Sequence, residues 1–168
     1  MRRYAFLVLF AISIPGTPLR TTASALASYP TLRLSLSGHP WQLRLTHAFV
    51  THSVGASYTT PLFAKGKYII LSFEALNLSK QPNDLYSGED FLILDSSGRT
   101  FSVDSRATSY AQTQYGAGDS FQVQPSFTNH ISFVFDIAKD ANHLRLLNHP
   151  YGHTARLLYV LNLGMVQK

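Results

Sequence analysis

Histidine is the residue type in this chain whose number and placement point most directly to chemistry. Seven occur, at positions 39, 47, 52, 130, 143, 149 and 153. Neutral imidazole binds Zn²⁺ or Cu²⁺, and a site needs three or four ligands that converge. Strand-borne ligands sit at i and i+2, and the sequence contains no His-x-His. His47 and His52 differ by an odd number, so an unbroken strand points them to opposite faces. His149 and His153 flank Pro150-Tyr151-Gly152, a turn sequence, and with His143 they form the candidate metal set. Solvent-facing histidines on loops and strands are the plainer account of the same residues.

Carboxylates offer two further possibilities. Asp84, Glu89 and Asp90 could present hard oxygen ligands to Ca²⁺, although their spacing matches no EF-hand loop. Asn83-Asp84 after Pro82 fits an Asx-type turn equally well, and Asp95 before Ser96-Ser97-Gly98 reads as a turn residue. Glu74 and Asp136 could flank a glycosidic bond from neighbouring strands; Glu74 also reads as an outward-facing strand residue. The sequence has no G-x-S-x-G elbow, H-E-x-x-H, S-x-x-K or G-x-x-x-x-G-K. No catalytic residues and no cofactor are assigned. Asn77-Leu78-Ser79 is a formal glycosylation sequon and is given no function.

The remaining candidates are aromatic. Ser105 to Gly118 is polar, small and tyrosine-rich, and reads as a long loop between two strands. Tyr110 and Tyr115, flanked by Ser, Gln, Thr and Gly, match the composition of adaptable binding loops, where a rigid ring supplies contact area. The competing expectation is that these rings fold back and cap the core.

Short strands must carry these residues. Leu32, Leu34 and Leu36 alternate with polar neighbours and stop at Ser37-Gly38-His39-Pro40. A second run starts at Trp41 and continues through Leu43 and Leu45 towards Val50. Tyr68 to Leu78 begins as a doubly buried strand and then alternates. Phe91 to Asp95 and Arg99 to Val103 form a hairpin about Ser96-Ser97-Gly98. Ile131, Phe133, Phe135 and Ile137 make one inward face; Leu144 to Leu146 and Ala155 to Leu163 complete the set. The pattern predicts seven to nine strands, no helix, and an all-β antiparallel β-sandwich with Trp41 closing one end of its core.

Residues 1–27 read as an address. Arg2 and Arg3 precede the apolar run Ala5 to Ile14, which Pro15-Gly16 breaks, and small residues lead to a cut after Ala27 or Ala25. The expected organisation is a signal peptide, 1–27, and one domain, 28–168. Three of the 14 Lys/Arg residues (Arg2, Arg3, Arg20) and none of the 9 acidic residues fall in the leader, so the net charge drops from +5 to +2 after cleavage. The basic residues that remain are scattered, which argues against nucleic acid. No apolar run is long enough for a membrane span, and the absence of cysteine excludes thiolate chemistry, disulfides and a lipid anchor on cysteine.

The order of several short motifs resembles the telokin-like, immunoglobulin-fold extracellular domain (domain of unknown function 4352). They are Trp41, Gly66-Lys67-Tyr68, Asn77 ending a strand, Phe91 to Asp95 with Gly98-Arg99, Pro125, and Phe133-Val134-Phe135-Asp136. The resemblance covers about residues 40–163. It implies an immunoglobulin-like sandwich, extracellular life, and a structural role for Asp136 in binding backbone or an arginine. The chain departs from the pattern at Ser126, where a glycine is usual, around Asn129-His130, and at Ala138. The expected function is therefore a secreted or periplasmic non-enzymatic module binding an unknown protein or envelope partner through end loops. The alternatives are a secreted metal or small-ligand binder and a minor hydrolase.

Overall fold

A computed structural model describes residues 29–36, 38–55, 60–84, 90–115, 122–149, 155–161 and 163. The predicted leader and its cleavage position lie outside the described residues, as do Glu89 and His153. The elements run β1 (Leu32–Leu36), β2 (His39–Val54), β3 (Leu62–Asn77), β4 (Asn83–Asp84), β5 (Phe91–Leu94), β6 (Thr100–Ser102), α1 (Ser105–Tyr115), β7 (Gln122–Val123), β8 (Thr128–Ile137), β9 (Arg145–Asn148) and β10 (Arg156–Val160). The described strands number ten, one more than the expected maximum. The excess comes from β4 and β7, a two-residue pair without an apolar period of its own.

The strands form two four-stranded antiparallel sheets, β1-β2-β3-β8 and β10-β9-β5-β6. Period-two alternation assigns the faces. Trp41, Leu43, Leu45, Ile69, Leu71, Phe73, Ile131, Phe133 and Phe135 of the first sheet are buried against Phe91, Ile93, Leu146 and Tyr159 of the second. Phe91 spans the layers: its ring lies 5.8 Å from Phe73 and 5.2 Å from Phe133 between centroids. The β-sandwich read from the sequence is the architecture observed. Trp41 is fully buried opposite Asn77, the last residue of β3, so it closes one end of the core as expected.

The flank where β8 meets β6 is sealed. Val103 bridges to Phe135, the Asp104 N–H donates to the Val134 carbonyl (2.8 Å), and the Thr108 hydroxyl accepts the Val134 N–H (3.0 Å). These bonds satisfy the backbone of an edge strand that would otherwise be open to pairing.

α1 corrects the sequence reading, which took Ser105 to Gly118 for a loop. Asp104 caps the helix, its Oδ1 accepting the Ala107 N–H (2.8 Å). Ala107 and Ala111, one turn apart, are fully buried on the outer face of the first sheet. There they meet Val54, Tyr68, Ile70 and Val134 in a second, smaller core. Methyl-sized side chains let the helix lie close to the sheet while the rest of its surface stays polar, so composition alone resembles a loop.

Candidate functional site

The tyrosine candidates belong to this helix. Tyr110 is half-buried and packs against the second core. It is a helical residue with a packing role, and the adaptable-loop picture does not describe it. Tyr115 is the last residue of α1, and its side chain lies outside the described residues. The signal for the helix was present in the sequence as Asp104 followed by the pairs Ala107-Thr108 and Ala111-Gln112, four residues apart.

His143 and His149 do not converge. They stand beyond opposite ends of β9, and an extended chain at about 3.3 Å per residue separates them by roughly 20 Å. His143 lies in a left-handed turn (φ 48°) with Nδ1 2.9 Å from Asn142 Oδ1. The His149 N–H donates to the Asp90 carbonyl (2.7 Å). Among the described residues no group of three His, Asp or Glu side chains is placed to hold a metal ion. His47 is exposed, its Nδ1 3.2 Å from Thr46 Oγ1.

The two carboxylates considered for glycoside chemistry are also apart. Glu74 pairs across to His130 and Asp136 to Tyr68, so six residue steps along β8, roughly 20 Å, separate them. Even the wider arrangement used by inverting enzymes spans only about 6.5–9.5 Å. Glu74 is instead bound by Arg44 through Nε (3.0 Å) and Nη2. Asp136 accepts the backbone N–H groups of Lys65 (2.8 Å) and Gly66 (3.0 Å), the backbone-binding role the resemblance implied.

A shallow cleft of about 460 Å³ opens beside these groups, lined by Lys65, Gly66, Asp104, Asp136, Ile137, Ala138 and Lys139. Its two carboxylates already hold backbone N–H groups, one at the strand crossing and one at the helix cap. Tyr68 lies behind them with its hydroxyl donating to the Phe63 carbonyl (3.2 Å). Burial, then the charges of Asp104 and Asp136, push its phenol above the ordinary tyrosine value. The cleft is built from fold-holding contacts.

Two buried polar groups, Asp95 and Asn77, are likewise committed to turns. Asp95 accepts the N–H groups of Ser97 and Arg99 (both 2.9 Å) and the Arg99 Nε–H (2.7 Å). Burial raises its carboxyl, and the Arg99 and Ser97 hydrogen bonds together outweigh that and hold it below the ordinary carboxylate value. Asn77 donates from Nδ2 to the carbonyls of Gln81 and Val123 (both 2.8 Å) and accepts the Ser79 N–H (2.9 Å).

Asn77 also organises the end of the sandwich that the sequence reading passed over. Its carbonyl accepts the Ser126 N–H (2.9 Å), and its own N–H donates to the Phe127 carbonyl (3.2 Å). Ser126 adopts φ 64°, the left-handed region, at the position where the resembled pattern has glycine. The turn presents Phe127 to solvent, 66% exposed. The adjoining Leu78 is 38% exposed, and its N–H is fixed to the Pro40 carbonyl (3.1 Å). A large apolar ring held outward on a hydrogen-bonded turn is suited to contact with another molecule.

No family model and no curated protein matches the chain. Solved structures match by shape. A conserved hypothetical protein from Bacillus anthracis is 13% identical, with a TM-score of 0.57 over 79% of this chain and 95% of its own. MPT63, a secreted protein from Mycobacterium tuberculosis, is 10% identical, with a TM-score of 0.51 over 73% of this chain and 86% of its own. At these identities the likeness is one of fold, and it identifies the chain as sharing its β-sandwich with these two bacterial proteins.

Proposed function

We propose that the chain is a secreted or periplasmic, non-enzymatic immunoglobulin-like module of the telokin-like type, which binds a protein or cell-envelope partner through the turns at one end of its sandwich. The observation that carries this reading is Phe127, exposed on a turn pinned by Asn77. An exposed aromatic that is already ordered loses little entropy on binding, which is the property of an interface anchor. The leader-like residues 1–27 support export, and the secreted Mycobacterium tuberculosis neighbour accords with it. The commitment of Asp95, Asp104 and Asp136 to backbone groups supports a non-enzymatic role.

The test is capture from envelope and culture-medium extracts by the wild-type chain and by a Leu78→Ser/Phe127→Ser variant. Both side chains are exposed, so the variant is expected to melt with the wild type. A partner held by the wild type and lost by the folded variant supports the reading. A partner held equally by both removes the end turn as the contact, and the absence of any partner removes the binding function.

A further inference from the structure

The two flanks of the sandwich differ. The β8 flank is sealed by Val103, Asp104 and Thr108, whereas β10 is the terminal strand of the second sheet, paired only with β9 among the described residues. The register of that sheet places two rows on its outer face. One row is Leu157, Leu147, Leu92 and Ser102; the other is Val160, Arg145, Leu94 and Thr100. Five of these eight side chains are aliphatic, and the two on β10 are the most open, Leu157 at 51% and Val160 at 58% exposed.

The charge along this edge, on both faces of the sheet, has one sign. Arg145 lies within the second row and Arg156 begins the edge strand; neither has an ion-pair partner among the described residues. The two rows hold no carboxylate. A second copy of the chain fits poorly. It would add positive charge to an edge whose rows hold no counter-charge. An extended segment whose apolar and acidic residues alternate fits both the aliphatic rows and the positive charge. Its apolar side chains would continue the Leu157–Val160 face while its carboxylates lie on the other side, where the register puts Arg156.

We propose that the open edge of β10 is a strand-addition site for a partner segment of alternating apolar and acidic residues. This surface is separate from the Phe127 turn. Main-chain hydrogen bonds would supply affinity, and the aliphatic rows with Arg156 would select the sequence.

The probes are three fluorescent ten-residue peptides alternating Val with Glu, Val with Lys, and Ser with Glu, read by anisotropy against the full chain. The Val/Glu peptide is expected to bind at least about tenfold more tightly than either of the others, with affinity falling as salt rises. Arg156→Glu should move the preference towards Val/Lys, and Leu157→Ser/Val160→Ser should remove binding while the melting temperature stays near that of the wild type. A Val/Glu peptide N-methylated at every residue should fail to bind, because the ladder donors of both its edges are gone. Equal affinity for Val/Glu and Val/Lys, no binding, or unchanged binding by the N-methylated peptide would each overturn the proposal. So would a doubled sedimentation mass abolished by Leu157→Ser/Val160→Ser, which would make a second copy the occupant. The Leu78→Ser/Phe127→Ser variant should bind the Val/Glu peptide like the wild type.

Discussion

Gly66→Ala is expected to be among the most damaging single-methyl additions this fold can receive. A Cβ at this position would lie 1.9 Å from the Ile137 carbonyl oxygen and 2.9 Å from its carbon, both backbone atoms. Real Cβ atoms essentially never come within 3.0 Å of such atoms, so β3 and β8 must part by at least the 1.1 Å difference. The same corner holds the two N–H groups bound by Asp136 and the Lys67 Nζ donation to the Ala141 carbonyl (2.8 Å). Overpacking costs about 1–3 kcal/mol, and losing one charge-assisted hydrogen bond costs about 1.5–3 kcal/mol. The lower backbone entropy of an unfolded alanine returns about 0.4–1 kcal/mol. The net is a loss of about 2–5 kcal/mol, or on the order of 5–20 °C in melting temperature for a chain of this size. Gly98→Ala is the control: at φ +81° nothing lies within 4 Å of its Cβ, so the left-handed penalty of about 1–2 kcal/mol, less the same entropy return, is all that applies. Thermal unfolding followed by circular dichroism measures both. A Gly66→Ala protein that melts within about 2 °C of the wild type, or above Gly98→Ala, would refute the strand-crossing argument.

Three other outcomes follow from the same contacts. Ser126→Gly relieves a serine at φ 64° and should raise stability by about 0.5–1 kcal/mol, since the strain removed slightly exceeds the entropy glycine adds to the unfolded chain; a lower melting temperature would contradict this. Tyr110→Ser should lower stability by about 1–2 kcal/mol through lost packing against the second core, and an unchanged denaturant midpoint would return Tyr110 to the status of a free surface residue. The folded carboxyl of Asp95 is depressed, so its contribution to stability is present above the unfolded carboxyl value and disappears as pH falls through the folded one. Asp95→Asn should therefore flatten the decline in melting temperature on acidification, and parallel wild-type and variant profiles would show that Asp95 is not the group responsible.

The strands were legible because their apolar residues recur with period two and because glycine marks the hairpin: Leu94 pairs with Thr100, and Gly98 takes φ +81° between them. α1 was hidden for a physical reason. Its contact with the sheet is made by Ala107 and Ala111, whose small side chains carry little hydropathy, beside the buried polar Thr108 and Gln112, while Ser105, Arg106 and Ser109 are exposed. Two of the candidate histidines, His143 and His149, are near in sequence but stand beyond opposite ends of an extended strand, and the third, His153, lies outside the described residues. The aliphatic rows of the second sheet are a property of register. Leu92, Leu147 and Leu157 are far apart in the chain, and only the pairing β5-β9-β10 places them side by side.

Polar side chains at the corners of the fold serve as architecture, and this shapes where function can reside. Asp104 starts α1, Asp136 holds the β3 crossing, Asp95 closes a hairpin, and Asn77 ties β3 to the turn before β8. A carboxylate that accepts two backbone N–H groups has its lone pairs directed at fixed donors, and moving a proton or ligating an ion would first require those bonds to break. The two contact surfaces proposed above are Phe127 and Leu78 on the end turn, and Leu157, Val160 and Arg156 along β10. One is an apolar anchor on a pinned turn, and the other is a strand edge with aliphatic side chains and uncompensated positive charge. They respond to different perturbations, since serine at Phe127 leaves every ladder bond in place and N-methylation of an added strand leaves the end turn untouched. A partner that loses affinity under only one of these two changes thereby reports which surface it occupies.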